Sequence, residues 1–305
     1  MDKDIKNKEN MSSRKLRFAL FGNIYQAKKS ASIQKVLSCL IERKADVYIE
    51  KEYYHFLTDT QHLDVDATGI FEDDDFDVDF VISMGGDGTF LKTAGHVGDK
   101  GFPMLGVNMG RLGFLADVSP KDIEKCLDAI YKGEYSIEDR AVIKVETDGE
   151  PIEGCCFALN DIAVLKRDNA SMISIRVTIN GEYLVTYQAD GIVVSTPTGS
   201  TAYSLSNGGP ILIPQSAIMS LTAVAPHSLN IRPIVIPDDS EVCLAVESRS
   251  HNFLIAVDGR SEKCKEGTKL TLRKAPYNIK IVKRNGCSYY HTLREKLMWG
   301  VDTRR

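Results

Sequence analysis

Near Glu138 the chain changes its hydrophobic period, and this limits the folds open to it more than any other feature. Upstream, strand and helix signals alternate. Lys15–Phe21, Val47–Ile49, Phe80–Met84 and Met104–Val107 read as apolar strands. Between them, Ile33, Val36, Leu37, Leu40 and Ile41 recur at the spacing of one helix face, and helical spacing returns after Gly88. Ser119–Pro120 reads as an N-cap followed by a proline in the first turn, opening a helix to about Tyr131. Strands separated by helices predict a parallel sheet with helices packed on it.

Downstream the period becomes two. Val142–Thr147, Phe157–Leu165, Ile173–Ile179, Tyr183–Tyr187, Gly191–Ser195, Ile234–Ile236, Glu241–Val246, Phe253–Val257, Lys269–Arg273 and Tyr277–Val282 all read as strands. Asn180–Gly181 is a two-residue hairpin signal. Helical character resumes from about Thr292 to Trp299. The expected fold is an α/β N-terminal domain with a parallel sheet, followed by a mainly antiparallel β domain, with the C-terminal segment returning to the first. The expected division is a disordered lead-in at 1–14, an α/β domain at 15–137 plus about 285–305, and a β domain at 138–284.

The 305 residues carry 38 Lys and Arg against 42 Asp and Glu, a formal charge of −4. That balance argues against a chain built to coat nucleic acid, but not against a small phosphate ligand, which local backbone N–H groups can hold. No stretch approaches the roughly 18 apolar residues of a membrane span, and the polar start lacks the apolar core of a secretory signal. Met11 is a second candidate start. Seven scattered cysteines include no CxxC pair, and the six histidines do not cluster, so no metal site is expected. Cys155 and Cys156 sit in the apolar run GCCFAL and are expected to be buried. A reduced, cytoplasmic protein is the resulting expectation. The run at 72–79, EDDDFDVD, reads as a solvated acidic stretch.

Four segments carry chemistry. In the first, Gly85, Gly86, Asp87, Gly88 and Thr89 follow an apolar strand and open a helix. Glycines allow close approach of backbone to a ligand, and the N–H groups of a helix start favour phosphate. A plain Asp-Gly turn competes, but a hairpin fits poorly between a strand and a helix. There is no GxxxxGK[ST] loop, GxGxxG fingerprint or protein-kinase motif set. In the second, Asn108–Leu115, the glycines permit a tight loop, and Phe114 supplies an aromatic face or fills core. In the third, Asn160 and Asp161 place an amide beside a carboxylate, which suits ribose hydroxyls and base edges or a structural turn. The fourth is Asp190–Pro210, where a strand runs into a dense set of hydroxyls and glycines. These suit a phosphorylated ligand, and Tyr203 adds a stacking surface with a polar tip. A Ser/Thr-rich surface loop is the competing account.

Together the segments resemble the NAD kinases, whose GGDGT/N, NxGxLGFL, NE and DGxxxSTPTGSTAYxxSxGGP motifs stand here in the same order. Pro226–Leu229 with Arg232–Pro233 is similar to the family's PHxLxxRP stretch, and Asp258–Gly259 to a late DG element. The GGDG motif alone is shared with diacylglycerol and sphingosine kinases, which leaves a lipid kinase as one alternative and a non-catalytic NAD(H) sensor as another. One departure stands out: Asp161 replaces the usual glutamate.

The resemblance implies the reaction ATP + NAD → ADP + NADP, with a divalent cation, usually Mg²⁺. NAD and ATP are the implied ligands, with no nucleic acid or membrane partner, in a homodimer or homotetramer. It also implies residue roles. Asp87 would accept the proton of the ribose 2′-hydroxyl, and Gly85, Gly86, Gly88 and Thr89 would face phosphates. Thr198, Gly199, Ser200 and Thr201 would place adenosine or phosphates. Asn160, Asp161, Ala202, Tyr203 and Phe114 would line the adenosine pocket. Asp190 would read the nicotinamide portion, across a subunit boundary. The phosphoryl donor, the choice of NAD or NADH, and feedback by NADP(H) are not legible in the sequence.

Overall fold

The computed structural model describes residues 14–25, 30–72, 74–110, 113–168, 171–284, 286 and 288–300. Residues 1–13 of the lead-in, including Met11, together with Cys287 and residues 301–305, therefore lie outside it. The chain divides into two compact units, one of residues 1–138 and 280–305, the other of residues 139–279.

The first unit is built on parallel strands β1 (Arg17–Gly22), β2 (Asp46–Glu50), β3 (Gly69–Phe71), β4 (Phe80–Gly85) and β5 (Met104–Asn108), in the order β3-β2-β1-β4-β5. β4 and β5 are buried along their whole length, as expected for strands covered on both faces. Helix α1 (Ser30–Glu42) turns Ile33, Val36, Leu37 and Leu40 into the core. Ile41, expected on the same face, is instead half exposed. A helix absent from the sequence reading, α2 (Lys51–His55), is capped by the Glu50 carboxylate and continues as a π-helical turn to Thr60. Then come α3 (Asp87–Val97) and α4 (Ile123–Lys132). The latter begins later than Ser119–Pro120 suggested, because residues 119–122 form a turn in which the Asp122 N–H donates to the Ser119 carbonyl. The acidic run is only half solvated: Phe76 and Val78 are buried, while Asp77 and Asp79 pair with Arg17.

The second unit is mainly β. Its strands are the later part of β6 (Tyr135–Thr147), then β7 (Phe157–Ala158), β8 (Asp161–Lys166), β9 (Ile173–Ile179), β10 (Glu182–Ala189), β11 (Gly191–Ser195), β12 (Ile218–Val224), β13 (Ile234–Pro237), β14 (Val242–Glu247), β15 (Asn252–Val257), β16 (Arg260–Lys265) and β17 (Lys269–Arg284). Six of them form an antiparallel sheet in the order β13-β12-β11-β8-β15-β16, and β10-β9-β14-β17 pair antiparallel in a second sheet. Ile162, Val164, Ile192, Val194, Val177, Val242 and Leu244 sit in one apolar cluster drawn from both sheets. The Asn180–Gly181 hairpin is present, with both φ values positive.

Three strand readings need correction. Phe157–Leu165 is broken at Leu159–Asn160 into β7 and β8. The segments 269–273 and 277–282 form the single strand β17, running through Pro276. On either side of Pro276, Lys269–Leu272 pair antiparallel with β14 and Ile281 pairs parallel with Met104 of β5 in the first unit. β12 and β16 went unread. Cys155 and Cys156, expected buried, are half exposed in the connection leading to β7. Between β11 and β12 lies the short helix α5 (Tyr203–Ser206). The chain ends on α6 (Tyr289–Leu297), three residues earlier at its start than the sequence reading placed it. No described helix is long and apolar enough to cross a membrane.

Candidate functional site

In the first unit the site forms where β4 and β5 end, the usual ligand position in an open α/β sheet. Asp87 is the first residue of α3, and Gly86 at the N-cap offers no side-chain cap, so the early helix N–H groups have no side-chain partner there. Gly86, Gly88, Thr89, Asn23, Glu52 and Lys92 line a cavity of about 340 Å³ in front of that helix end. Lys92 brings a cation to its rim, 3.6 Å from Glu52.

The Asp87 carboxylate is already engaged. Oδ2 accepts the Phe114 N–H at 2.8 Å, while Oδ1 accepts those of Leu115 at 3.1 Å and Ala116 at 3.0 Å. Three successive amides of the loop after β5 thus converge on one side chain. Asn108 closes the same loop, donating to the Ala116 carbonyl at 3.1 Å and accepting the Gly110 N–H at 2.6 Å. Gly113 is what lets the carboxylate in, because a Cβ there would lie 1.8 Å from Asp87 Oδ1. Phe114 is half-buried, with Lys296 of α6 5.9 Å from its ring centroid. The structure therefore brings together Gly85, Gly86, Asp87, Gly88, Thr89 and Phe114.

In the second unit, Asn160 and Asp161 lead into β8, and Ser195 of β11 pairs with Asp161. The turn after β11 folds onto them. Thr196 Oγ1 donates to the Leu159 carbonyl at 2.6 Å, and the Thr196 N–H donates to the Asn160 carbonyl at 2.9 Å. Gly199 packs against the Asn160 backbone, and a Cβ at 199 would lie 2.1 Å from the Asn160 carbonyl oxygen. The hydroxyl-rich segment and the Asn-Asp pair, far apart in sequence, are one structure.

Much of that segment's polarity faces inward, not toward a ligand or the surface. Ser195, Thr196, Ser200 and Ser204 are essentially fully buried. Ser200 Oγ donates to the Pro197 carbonyl at 2.7 Å and accepts the Leu212 N–H at 3.0 Å, so Ser200 holds the turn together. Thr198 is buried beside Arg140, whose guanidinium lies 3.4 Å from its hydroxyl. Facing outward are, among others, Thr201 and Ala202, half-buried, and Tyr203, 38% exposed.

Asp190 is set apart from this group. It stands at the opposite end of β11 from Ser195, about 17 Å away at the rise of an extended strand. There it pairs with Lys166 at 2.7 Å, and Lys166 lines a cavity of about 630 Å³ with Gln188, Ser174, Glu247 and Arg249. His227 is exposed on the surface of this unit.

Two carboxyls in the second unit share a low-dielectric site. Burial first, and then the nearby Asp258 charge, push the Asp161 carboxyl up to about 7. Burial also raises Asp258, opposed by three backbone N–H donors and by Arg260. The three N–H donors favour the ionised form of Asp258, whereas burial and a like charge both oppose ionisation of Asp161. Asp258 was quoted in the sequence only for its place in a motif. The signal that would have marked it is an Asp-Gly turn falling between two strands, one of them unread. Among the described residues no cluster of three or more His, Cys, Asp or Glu could cage a metal ion.

Models of known families match both units: the ATP-NAD kinase N-terminal domain over residues 18–135, and the ATP-NAD kinase C-terminal domain over residues 159–284. An NAD kinase of Bacteroides fragilis is 54% identical over 289 residues, 95% of this chain and 100% of the relative. One of Porphyromonas gingivalis is 41% identical over 288 residues, 94% of this chain and 99% of the relative. Among solved structures, yeast NADH kinase complexed with NADH shares the fold at a TM-score of 0.85 and 21% identity, covering 95% of this chain and 89% of that one. An Archaeoglobus fulgidus NAD kinase in complex with ATP does so at 0.72 and 24%, covering 93% and 99%. With both domain models in tandem and high identity along nearly its whole length, the chain belongs to the NAD kinase family.

Proposed function

We propose that this chain transfers the γ-phosphoryl group of ATP to the 2′-hydroxyl of the adenosine ribose of NAD, producing NADP. The observation that carries the reading is the 54% identity over the full length of an NAD kinase. The geometry of each unit supports a role in it.

Phosphoryl transfer depends chiefly on positioning and on stabilising charge. In the first unit, the helix-start N–H groups beside Gly86 and Gly88, with Lys92 at the rim, suit the donor phosphates. Asp87 serves as the acceptor for the ribose proton. An ionised carboxylate offers about four lone-pair sites. Three are taken by the loop amides, which leaves one for the hydroxyl and fixes the carboxylate's orientation. In the second unit, Asn160, Ala202 and Tyr203 suit adenine and ribose. Asp190, apart from them, suits the nicotinamide end of a substrate held by a neighbouring subunit of a homo-oligomer.

The family requires a divalent cation. A cation such as Mg²⁺ would be held mainly by the substrate phosphates, because Mg²⁺ keeps several waters and takes few protein ligands. When bound, it neutralises phosphate charge.

The test is NADP formation from purified protein, ATP, Mg²⁺ and NAD, followed with a coupled dehydrogenase. Parallel reactions with polyphosphate and with NADH define the donor and the acceptor. Tight NAD binding without any product, or phosphorylation of a lipid in its place, overturns the proposal.

Tyr203 supplies a narrower check. Stacking of a base on an aromatic ring is worth about 1–3 kcal/mol, and about 1.4 kcal/mol is tenfold in affinity. Tyr203→Ala is expected to raise the KM for NAD about tenfold with kcat largely retained. An unchanged KM removes Tyr203 from the site.

A further inference from the structure

Asp258 and Gly259 form the two-residue turn joining β15 to β16, with φ of 47° and 82°. Positive φ at both positions is the signature of the tight hairpin turn that Asp-Gly favours. A turn alone would account for the pair, but the side chain does more. Asp258 Oδ2 accepts the Leu159 N–H at 2.8 Å, and Oδ1 accepts those of Asn160 at 2.8 Å and Asp161 at 3.1 Å. In return the Asp258 N–H donates to the Asp161 carbonyl at 3.0 Å. No hairpin requires these bonds. They draw three consecutive amides out of a sheet ladder and so explain why the strand expected over Phe157–Leu165 is broken. Thr196 holds the carbonyls of Leu159 and Asn160 from the other side. The arrangement repeats the one around Asp87, where an aspartate followed by glycine also gathers three successive loop amides.

We propose that Asp258 is a positioning residue for the Asn160–Asp161 pair, its carboxylate fixing the backbone from which the amide and the carboxyl reach the substrate. This deepens, and rests on, the NAD kinase reading. The clamp has an electrostatic side as well. The charged groups disposed about Asp161 among the described residues are few. Asp258 faces it from the β15–β16 turn, with Arg260 acting on Asp258, and Arg140 of β6 reaches Thr198. β11 presents the neutral hydroxyl of Ser195. The Asp258 charge therefore disfavours ionisation of Asp161, and removing it moves that ionisation to lower pH.

Asp258→Asn tests this, because asparagine keeps the size and the turn preference but loses the charge and one acceptor oxygen. The expected result has three parts. The amides of Leu159, Asn160 and Asp161 exchange with solvent faster while other sheet amides do not. kcat/KM for NAD falls about tenfold or more, as for loss of a charge-assisted hydrogen bond. The ionisation of Asp161, read from its carboxyl NMR signal, moves to lower pH, and Asp258→Glu recovers part of the kinetic loss. A variant with lowered Tm but an unshifted Asp161 ionisation and unchanged kinetics per folded molecule overturns the proposal, leaving a turn residue only. Should the variant fail to fold, amide exchange in the unaltered protein decides: unprotected amides at 159–161 overturn the clamp, and protected ones support it. The exchange measurement needs no turnover, so a protein that makes no NADP would end the kinase reading without touching this arm.

Discussion

Asp87→Asn is expected to lower turnover by about 100-fold or more while NAD still binds, the scale of losing an acid–base group. The substitution keeps the shape and removes the proton acceptor. It has a second effect that follows from the geometry. The loop amides of Phe114, Leu115 and Ala116 all donate to the Asp87 carboxylate. Asparagine offers a single carbonyl oxygen, so its NH₂ group must face at least one of those N–H groups. Leaving a buried donor without a partner costs about 1–3 kcal/mol. Tm should therefore fall along with kcat, and the two readings separate the roles. A variant with lowered Tm and near-normal kcat makes Asp87 a loop anchor only, and would remove it from the chemistry. Loss of kcat together with retained NAD binding keeps it there.

Gly199→Ala carries the second large effect. The new Cβ would lie 2.1 Å from the Asn160 carbonyl oxygen, 2.4 Å from its carbonyl carbon and 2.7 Å from its Cα. All three are backbone atoms, so no rotamer change relieves the contact, and either the 196–201 turn or the Asn160 strand end must move. Overpacking of this kind costs about 1–3 kcal/mol in stability. The functional cost is greater, because a displacement of about 1 Å in a positioned site can lower rate by about 100-fold. The expected variant is folded, with lowered Tm, raised KM for NAD and kcat/KM down by about two orders of magnitude. Gly95→Ala is the control. It lies inside α3, where no atom beyond the helix's own backbone comes within 4 Å of the added carbon, and alanine there should stabilise by about 0.5–1 kcal/mol without altering rate. Wild-type kinetics in Gly199→Ala would show that the contact between the turn and Asn160 has no bearing on the reaction.

The sequence disclosed whatever depends on neighbours along the chain. The apolar run Phe80–Met84 followed by Gly-Gly-Asp-Gly read as a strand running into a helix start, and β4 and α3 meet there. Asn180–Gly181 read as a hairpin because its turn chemistry is local. What escaped was set by distant partners. Nothing around Asp87 announces that its acceptors serve amides 27 to 29 residues away. Nothing around Leu159 announces an aspartate nearly a hundred residues downstream. The hydroxyls of 195–204 looked like ligand contacts because composition cannot tell an inward hydroxyl from an outward one, and Ser200 and Ser204 proved internal. Asp190 belonged to the same motif, yet a strand of five residues carries it to the other end of the sheet. β16, RSEKCK, has no apolar alternation to reveal it; pairing with β15 makes it a strand. The 51–60 segment escaped because a short helix followed by a π turn lacks the run of turns that makes a helical period visible.

The strand β17 has a consequence for biosynthesis. Ile281 completes the sheet of the first unit beside Met104, and the residues from Lys280 onward belong to that unit. A ribosome makes them only after the second unit. The nascent N-terminal unit must wait, with the edge of β5 open to stray pairing, until the whole intervening unit has emerged. The second unit has no such debt, since 139–279 is one continuous segment. A truncation at Glu138 thus yields a sheet that lacks its closing strand, whereas an excision at 139–279 removes a self-contained length of chain.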